Sequence, residues 1–329
     1  MKALVTGATG FIGANLVREL INQGYEVRAL VRKQSNRKNI QQLKVEEVLG
    51  DLRDRSSLDN ALNGCDVLFH AAASYTFWSS DSKAIYEANV QGTENILAAA
   101  LRKGTKKIVY TSTESTIGIT TNGTPGNEEY CARPCDVAGH YKKSKLMAEK
   151  LALNMCQEGL PLVVVNPTLP IGPFDIKPTP TGQMVVDFLN HRMPAYVNTG
   201  LNVIDVVDVA KGHVLACEKG RIGERYILGN KNTTFRDVLG ILEQITGIKA
   251  PGLKLPIWLA LGAAYADEFV SGIILKRYPR VPLAGVKTAR KFRYFDCTKA
   301  VSELGLPQTP IEGALEEAVR WFRQNEYAS

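Results

Sequence analysis

Tyr141 and Lys145 stand four residues apart in HYKKSK, so on a helix they lie one turn apart on the same face. A free phenol loses its proton near pH 10 and is a poor base at neutrality. A lysine ammonium and an oxidised nicotinamide ring beside it would favour the phenolate. Lowering the pKa by about three requires about 4 kcal/mol of differential stabilisation, within reach of two positive charges in a partly dry cleft. Such a phenol can give a proton to a carbonyl oxygen as hydride arrives, or take one from an alcohol as hydride leaves. Thr113, in Thr111-Ser112-Thr113-Glu114, offers a hydroxyl to orient that oxygen. Lys145 could also hold a nicotinamide ribose. YxxxK alone is common in helices, so its meaning depends on what positions it.

The amino terminus, MKALVTGATGFIG, supplies that context. Ala3 to Val5 has the length and type of a buried strand, and Leu16, Val17, Leu20 and Ile21 follow a helical period. Between them stand Gly7, Gly10 and Gly13, with Thr9, Phe11 and Ile12 in the same turn. A strand, a glycine turn and a helix bring backbone N–H groups and a positive dipole end to a pyrophosphate. The spacing is GxxGxxG rather than GxGxxG, so the flanking strand and helix carry the dinucleotide reading.

Glu26 to Val31 reads as a second strand, ending at Arg32 and Lys33, nineteen and twenty residues past Gly13. A carboxylate there would accept from the ribose 2′-hydroxyl of NAD, whereas a guanidinium suits the 2′-phosphate of NADP. No Asp or Glu stands between Glu26 and Glu46, while Arg32, Lys33, Arg37 and Lys38 crowd the spot. NADP(H) is therefore the expected cofactor and NAD(H) the alternative.

Further strands are expected at Glu46–Leu49, Asp66–Phe69, Lys107–Thr111 and Leu162–Val165. Asp51, after the first of these, could accept from an adenine amino group or cap the helix near Ser56. His70 reads as a hydrogen-bonded structural residue, and the small Ala71, Ala72 and Ala73 leave room for a flat ligand. Ser82 to Arg102 reads as one long helix in which Asn89 faces inward, either bracing backbone or holding a water. Residues 119–136 read as a surface loop or lid. Beyond Pro167 and Thr168 the alternation loosens, and Ile257–Ala266 reads as a buried helix, too short to span a bilayer, with peripheral membrane contact as the lesser reading. The expected fold is α/β: a Rossmann-type doubly wound parallel sheet with a smaller mixed carboxyl-terminal lobe. Residues 1–170 and 201–230 would form the cofactor domain, and 171–200 with 231–329 the substrate lobe.

The 329 residues are 45% hydrophobic, which argues for a globular protein, and the net charge of +7 admits an anionic ligand. Basic residues are dispersed without a nucleic-acid-reading motif, so no nucleic-acid partner is expected. Arg290, Lys291 and Arg293 read either as a phosphate contact or as solvated surface. Six scattered cysteines without metal-ligand spacing, and no signal peptide, point to free thiols, no metal site and a cytoplasmic location.

TGATGFIG, the GDL at 50–52, the strand-end TST at 111–113 and YKKSK resemble the extended short-chain dehydrogenase/reductases over essentially the whole chain. VNPTLPIGPFDIKPTPTG and MPAYVNTGLN are most similar to hopanoid-associated sugar epimerases, themselves similar to dihydroflavonol 4-reductases. The resemblance implies a catalytic set of Thr113, Tyr141 and Lys145, with Thr113 where serine is more usual, supported by Asn89. It implies that Asp51, with Leu52, and Ala71 to Ala73 line the adenosine half, that Pro167 and Thr168 contact the cofactor, and that the chain forms a homodimer. Sugar dehydratases of this group follow the catalytic threonine with Asp and Glu. Glu114 and Ser115 stand here instead, which disfavours dehydration.

The leading expectation is an NADP(H)-dependent oxidoreductase acting on a carbonyl or secondary alcohol of a small molecule. Its alternative is a sugar epimerase with bound NAD(P), in which hydride leaves and returns without net redox change. Epimerases ordinarily retain NAD, which Arg32 speaks against. A non-catalytic cofactor-binding regulator is a further alternative, and the presence of both Tyr141 and Lys145 speaks against it.

Overall fold

A computed structural model describes residues 1–119 and 124–328. The amino-terminal half alternates strand and helix: β1 (Lys2–Thr6), α1 (Phe11–Asn22), β2 (Glu26–Val31), β3 (Glu46–Leu49), α2 (Arg55–Leu62) and β4 (Val67–His70). There follow α3 (Ser82–Tyr86), α4 (Gly92–Arg102), β5 (Lys107–Thr111), α5 (His140–Gln157), β6 (Leu162–Pro167) and β7 (Leu169–Ile171). The later part contributes α6 (Pro180–Leu189), β8 (Gly200–Asp205), α7 (Val206–Lys219), β9 (Arg225–Leu228), β10 (Lys231–Thr234), α8 (Phe235–Thr246), α9 (Ile257–Asp267), α10 (Leu283–Ala289) and α11 (Ile311–Gln324).

Seven strands form one parallel sheet in the order β3-β2-β1-β4-β5-β6-β9. Such strands are covered on both faces, which is why they read as apolar runs. Ala3 and Val5 of β1 pack with Leu16, Val17 and Leu20 of α1 and Val209 and Val214 of α7. Leu4 between them faces the other side, with Leu58 of α2, Ile96 and Leu97 of α4 and Ala148 of α5. The strand order reverses between β1 and β4, and a ligand crevice opens at the carboxyl ends of strands at such a switch point.

A second sheet, β10-β8-β7, pairs β10 antiparallel and β7 parallel with β8. Its helices α6, α8 and α11 bury Val185, Leu239 and Leu315 in a core of their own. Within 201–230, β8 thus belongs to the small sheet, whereas α7 and β9 belong to the large one.

Two expectations require correction. Residues 82–102 do not form one regular helix, because a π-helical turn at Glu87–Gln91 separates α3 from α4. Ile257–Ala266 is not a buried helix: only Ala260 and Ala264 of α9 are buried. The helical segment runs to Ile274, and over that whole length it could, by length and composition alone, cross a membrane. Of residues 119–136, read as a surface loop or lid, 120–123 lie outside the described residues, and most of 124–136 is exposed, as a surface loop should be, with anchors at a few points. Gly126 bridges to Phe295, Cys131 bridges to Ile117, and Glu128 accepts from the Ile227 amide at 2.8 Å.

Candidate active site

The glycine turn closes on itself at the end of β1. Gly7 is left-handed (φ +72°), and a Cβ there would lie 2.7 Å from the Ala72 nitrogen. At Gly13 a Cβ would meet the Gly7 carbonyl oxygen at 2.1 Å, so helix and strand can approach this closely only without a side chain. Gly10 stands at the cap of α1, no side chain bonds to the first amides, and the first turn holds no acid. These amides are therefore open to an anionic ligand. The cradle fits a dinucleotide pyrophosphate, with Thr9, Phe11 and Ile12 in the same turn and Ala71 to Ala73 facing it from the end of β4. The Ala72 amide is fixed by the Thr6 hydroxyl at 3.2 Å.

Arg32 and Lys33 are exposed at the carboxyl end of β2. Their basic neighbours are engaged: Arg37 pairs with Glu47 at 2.7 Å, and Lys38 donates to Asn325 at 2.9 Å. Asp51 is gripped by Arg53 through Nε at 3.0 Å and Nη2 at 2.9 Å. Those bonds, helped by the Arg32 charge, hold its carboxyl down at about 2. Asp54 rather than Asp51 caps α2, accepting from the Ser56 and Ser57 amides. The Leu52 carbonyl accepts from Asn95 at 2.9 Å.

Thr113 follows β5 and caps the short turn Glu114–Thr116. Tyr141 lies in the first turn of α5, half-buried, with its ring 4.6 Å from that of Tyr75. Burial and the Glu114 carboxylate push the Tyr141 phenol up, while a hydrogen bond with the Thr113 hydroxyl opposes them. The expectation that Lys145 tunes this phenol downward is not met among the chain's own groups. Lys145 is 2% exposed, and its Nζ donates to the Tyr110 hydroxyl and the Thr111 carbonyl, each at 2.8 Å. Burial pulls its ammonium down to about 7, against the upward influence of Glu149.

Asn89 is the brace. In the π turn its Oδ1 accepts from the Ser74 amide at 2.7 Å, and its Nδ2 donates to the Ser74 carbonyl at 3.2 Å and Ser144 Oγ at 2.9 Å. It thereby ties the segment after β4 to α5 between Tyr141 and Lys145. A single π turn at such a place is a recurrent device of functional sites. His70 is structural, as expected: Nδ1 and Nε2 bond the Thr6 and Thr93 hydroxyls at 2.7 and 3.0 Å, and burial drives its pKa down to about 3. Pro167 ends β6, and the Thr168 amide is held by the Leu228 carbonyl at 3.0 Å.

Four side chains near Tyr141 make contacts that no local spacing shows. Glu114 forms an ion pair with Arg293, whose Nε lies 3.0 Å from Oε2, so Arg293 is not free for a phosphate. Burial would raise the Glu114 carboxyl, but Arg293 and Lys142 beside it hold it below its ordinary value. Lys142 is buried, donates to Thr288 at 2.9 Å, and is pulled down to about 8 by desolvation. Tyr110, inside β5, is identified as a site residue only by its contact with Lys145. Among the described residues no cluster of metal-ligating side chains occurs, and all six cysteines are free thiols.

A family model described as the NAD dependent epimerase/dehydratase family matches residues 3–229. A Synechocystis sp. protein named "Putative dihydroflavonol 4-reductase" is 49% identical, covering 98% of this chain and 95% of its own. Sterol demethylase protein B of Methylococcus capsulatus is 35% identical, covering 98% and 99%. A solved structure of a nucleoside-diphosphate-sugar epimerase from Pseudomonas aeruginosa superposes with a TM-score of 0.82 at 26% identity, covering 100% and 99%. The fold, the glycine cradle and these likenesses agree: the chain is an enzyme of the extended short-chain dehydrogenase/reductase type and belongs to the NAD dependent epimerase/dehydratase family.

Proposed function

We propose that this protein is an NADP(H)-dependent oxidoreductase that reduces a carbonyl group of a small molecule to a secondary alcohol, or runs the reverse reaction. The observation that carries the reading is the arrangement at the end of β5: Tyr141 lies beside Thr113, and Lys145 is fixed one turn away by Tyr110 and Thr111, so the phenol could give a proton to a carbonyl oxygen or take one from an alcohol. Thr113 touches the same phenol and would share the carbonyl oxygen. Lys145, fixed by Tyr110 and Thr111, would hold a ribose hydroxyl, and the amides of α1 the pyrophosphate. When bound, the nicotinamide cofactor supplies or accepts the hydride. The substrate lobe, 171–200 with 231–329, would close over the carboxyl edge of the sheet. The likeness to a protein named as a dihydroflavonol 4-reductase supports the reductive reading.

Arg32 and Lys33 support the NADP preference, being exposed at the ribose position while Arg37 and Lys38 are engaged elsewhere. Titration with NADPH and NADH tests this: NADPH should bind more tightly, and Arg32→Ala should narrow the difference by about tenfold, the value of one charge-assisted bond. Equal affinities in the unaltered protein would remove the role given to Arg32.

Epimerisation is the second reading, favoured by the superposition on a nucleoside-diphosphate-sugar epimerase. The same Tyr141 would then act first as base and later as acid. A tightly retained NAD in the purified protein would support it; exchangeable NADP(H) would support the reductase.

A further inference from the structure

The helix that begins at Ile257 turns the wrong residues outward. α9 runs directly into a π-helical turn at Glu268–Ile274. Towards the protein it presents Ala260, Ala264 and Gly272, with Gly272 so close to Trp78 that a Cβ would lie 2.9 Å from the indole nitrogen. Its two carboxylates are spent on its own fold: Asp267 accepts from the Val281 amide at 2.7 Å and from Ser271 Oγ at 2.6 Å, and Glu268 from the Leu283 amide at 3.1 Å. Towards solvent it presents Trp258 (67% exposed), Phe269 (58%), Ile273 (66%) and Ile274 (60%). A helix on a globular surface ordinarily has the opposite polarity.

The exposed chain then turns basic. Lys276, Arg277 and Arg280 surround Tyr278, all of them exposed. Between Ile257 and Val281 the sequence holds no acid besides Asp267 and Glu268. The patch is therefore aromatic and aliphatic with cations at one end and no outward carboxylate in this stretch.

We propose that this face docks the protein on an anionic lipid bilayer, with the helix lying in the interface rather than crossing it. Large apolar residues would enter the boundary between headgroups and acyl chains, while Lys276, Arg277 and Arg280 meet lipid phosphates. Although its length would suffice, crossing is disfavoured because Asp267 and Glu268 lie in the middle of the segment and bond to the protein's own backbone at Val281 and Leu283. A second copy of the chain is a poorer occupant, since pairing like faces would bury these cations against a patch that offers no carboxylate in return. The helix also helps wall a cavity of about 680 Å³ lined by Trp78, Glu268 and Leu283 together with His140, the neighbour of Tyr141. Contact with a bilayer and access to this cavity thus involve one element. The docking itself does not depend on the reductase reading.

Flotation of the full chain with vesicles tests it. The protein should rise with vesicles of phosphatidylcholine and phosphatidylglycerol and stay down with phosphatidylcholine alone. Phe269→Asp combined with Ile273→Asp should abolish flotation. Lys276→Glu with Arg277→Glu should weaken it by about tenfold or more. Unchanged thermal unfolding of both variants would show that the fold is intact, since all four side chains face solvent. Absence of flotation on the anionic vesicles, equal flotation on both kinds of vesicle, or undiminished flotation of the charge-reversed variant would overturn the proposal. So would a lipid-free dimer that Phe269→Asp with Ile273→Asp converts to monomer, because a second copy would then be the occupant.

Discussion

The ammonium of Lys145 lies 2.8 Å from the hydroxyl of Tyr110, the last residue but one of β5, and not on Tyr141 one turn before it. A lysine drawn this far into the upper edge of a sheet is easier to deprotonate, and its pKa falls to about 7 from an ordinary 10.5. Between these two values the folded chain lacks a proton that the unfolded chain binds. Unfolding therefore takes up a proton, and stability rises with pH from about 7 towards 10.5. The stabilisation is complete only above the unfolded value and is lost as pH falls through the folded one. The melting temperature should thus climb between neutral and mildly alkaline pH, and Lys145→Met should reduce the slope. Lys142, pulled down to about 8, sustains a smaller remaining slope.

Tyr141→Phe would remove the proposed proton donor without altering the cradle at Gly7 and Gly13. Turnover should drop by about 10²–10⁴-fold, the range for loss of a positioned acid. Dinucleotide affinity, read by fluorescence titration, should stay within about twofold, because the open amides of α1 remain. Turnover that survives the substitution would take the proton-transfer role away from Tyr141.

What the sequence showed and concealed follows from the range of the interactions. The central strands of the large sheet were readable because burial on both faces makes them apolar, as in Leu162–Pro167, where every residue is buried, whereas the edge strand β3 is mostly exposed. The Tyr141–Lys145 pair was readable because helical spacing is local. β10, with sequence KNTT, was not, since among its four residues only Thr233 is buried and no alternation marks it. β7 was hidden by Pro170, a residue usually confined to edge strands, and β7 is an edge of the three-stranded sheet. Ile257–Ala266 was misread because apolar content does not say which way a helix faces. Glu114 and Arg293 are 179 residues apart, a distance that no spacing rule spans.

That ion pair sets the charge around the Tyr141 phenol, the proposed proton donor. Arg293→Ala would strand a mostly buried carboxylate at 15% side-chain exposure, raising the Glu114 pKa towards or above its ordinary value. The cost should be about 2 kcal/mol, below the ~3–5 kcal/mol of a fully buried pair because both side chains keep some contact with water. Calorimetric or denaturant unfolding would read it. Adding Glu114→Gln should restore part of the loss, because the stranded charge is then gone. Glu114→Gln alone removes the negative charge that helps keep Tyr141 protonated, so the phenol should ionise at lower pH. For carbonyl reduction, which needs the protonated phenol, the alkaline fall in turnover should then begin at lower pH than in the unaltered protein. An unmoved alkaline limb would mean that Glu114 does not act on Tyr141 through its charge, and that its bond to Arg293 serves only to hold residue 293 against the end of β5.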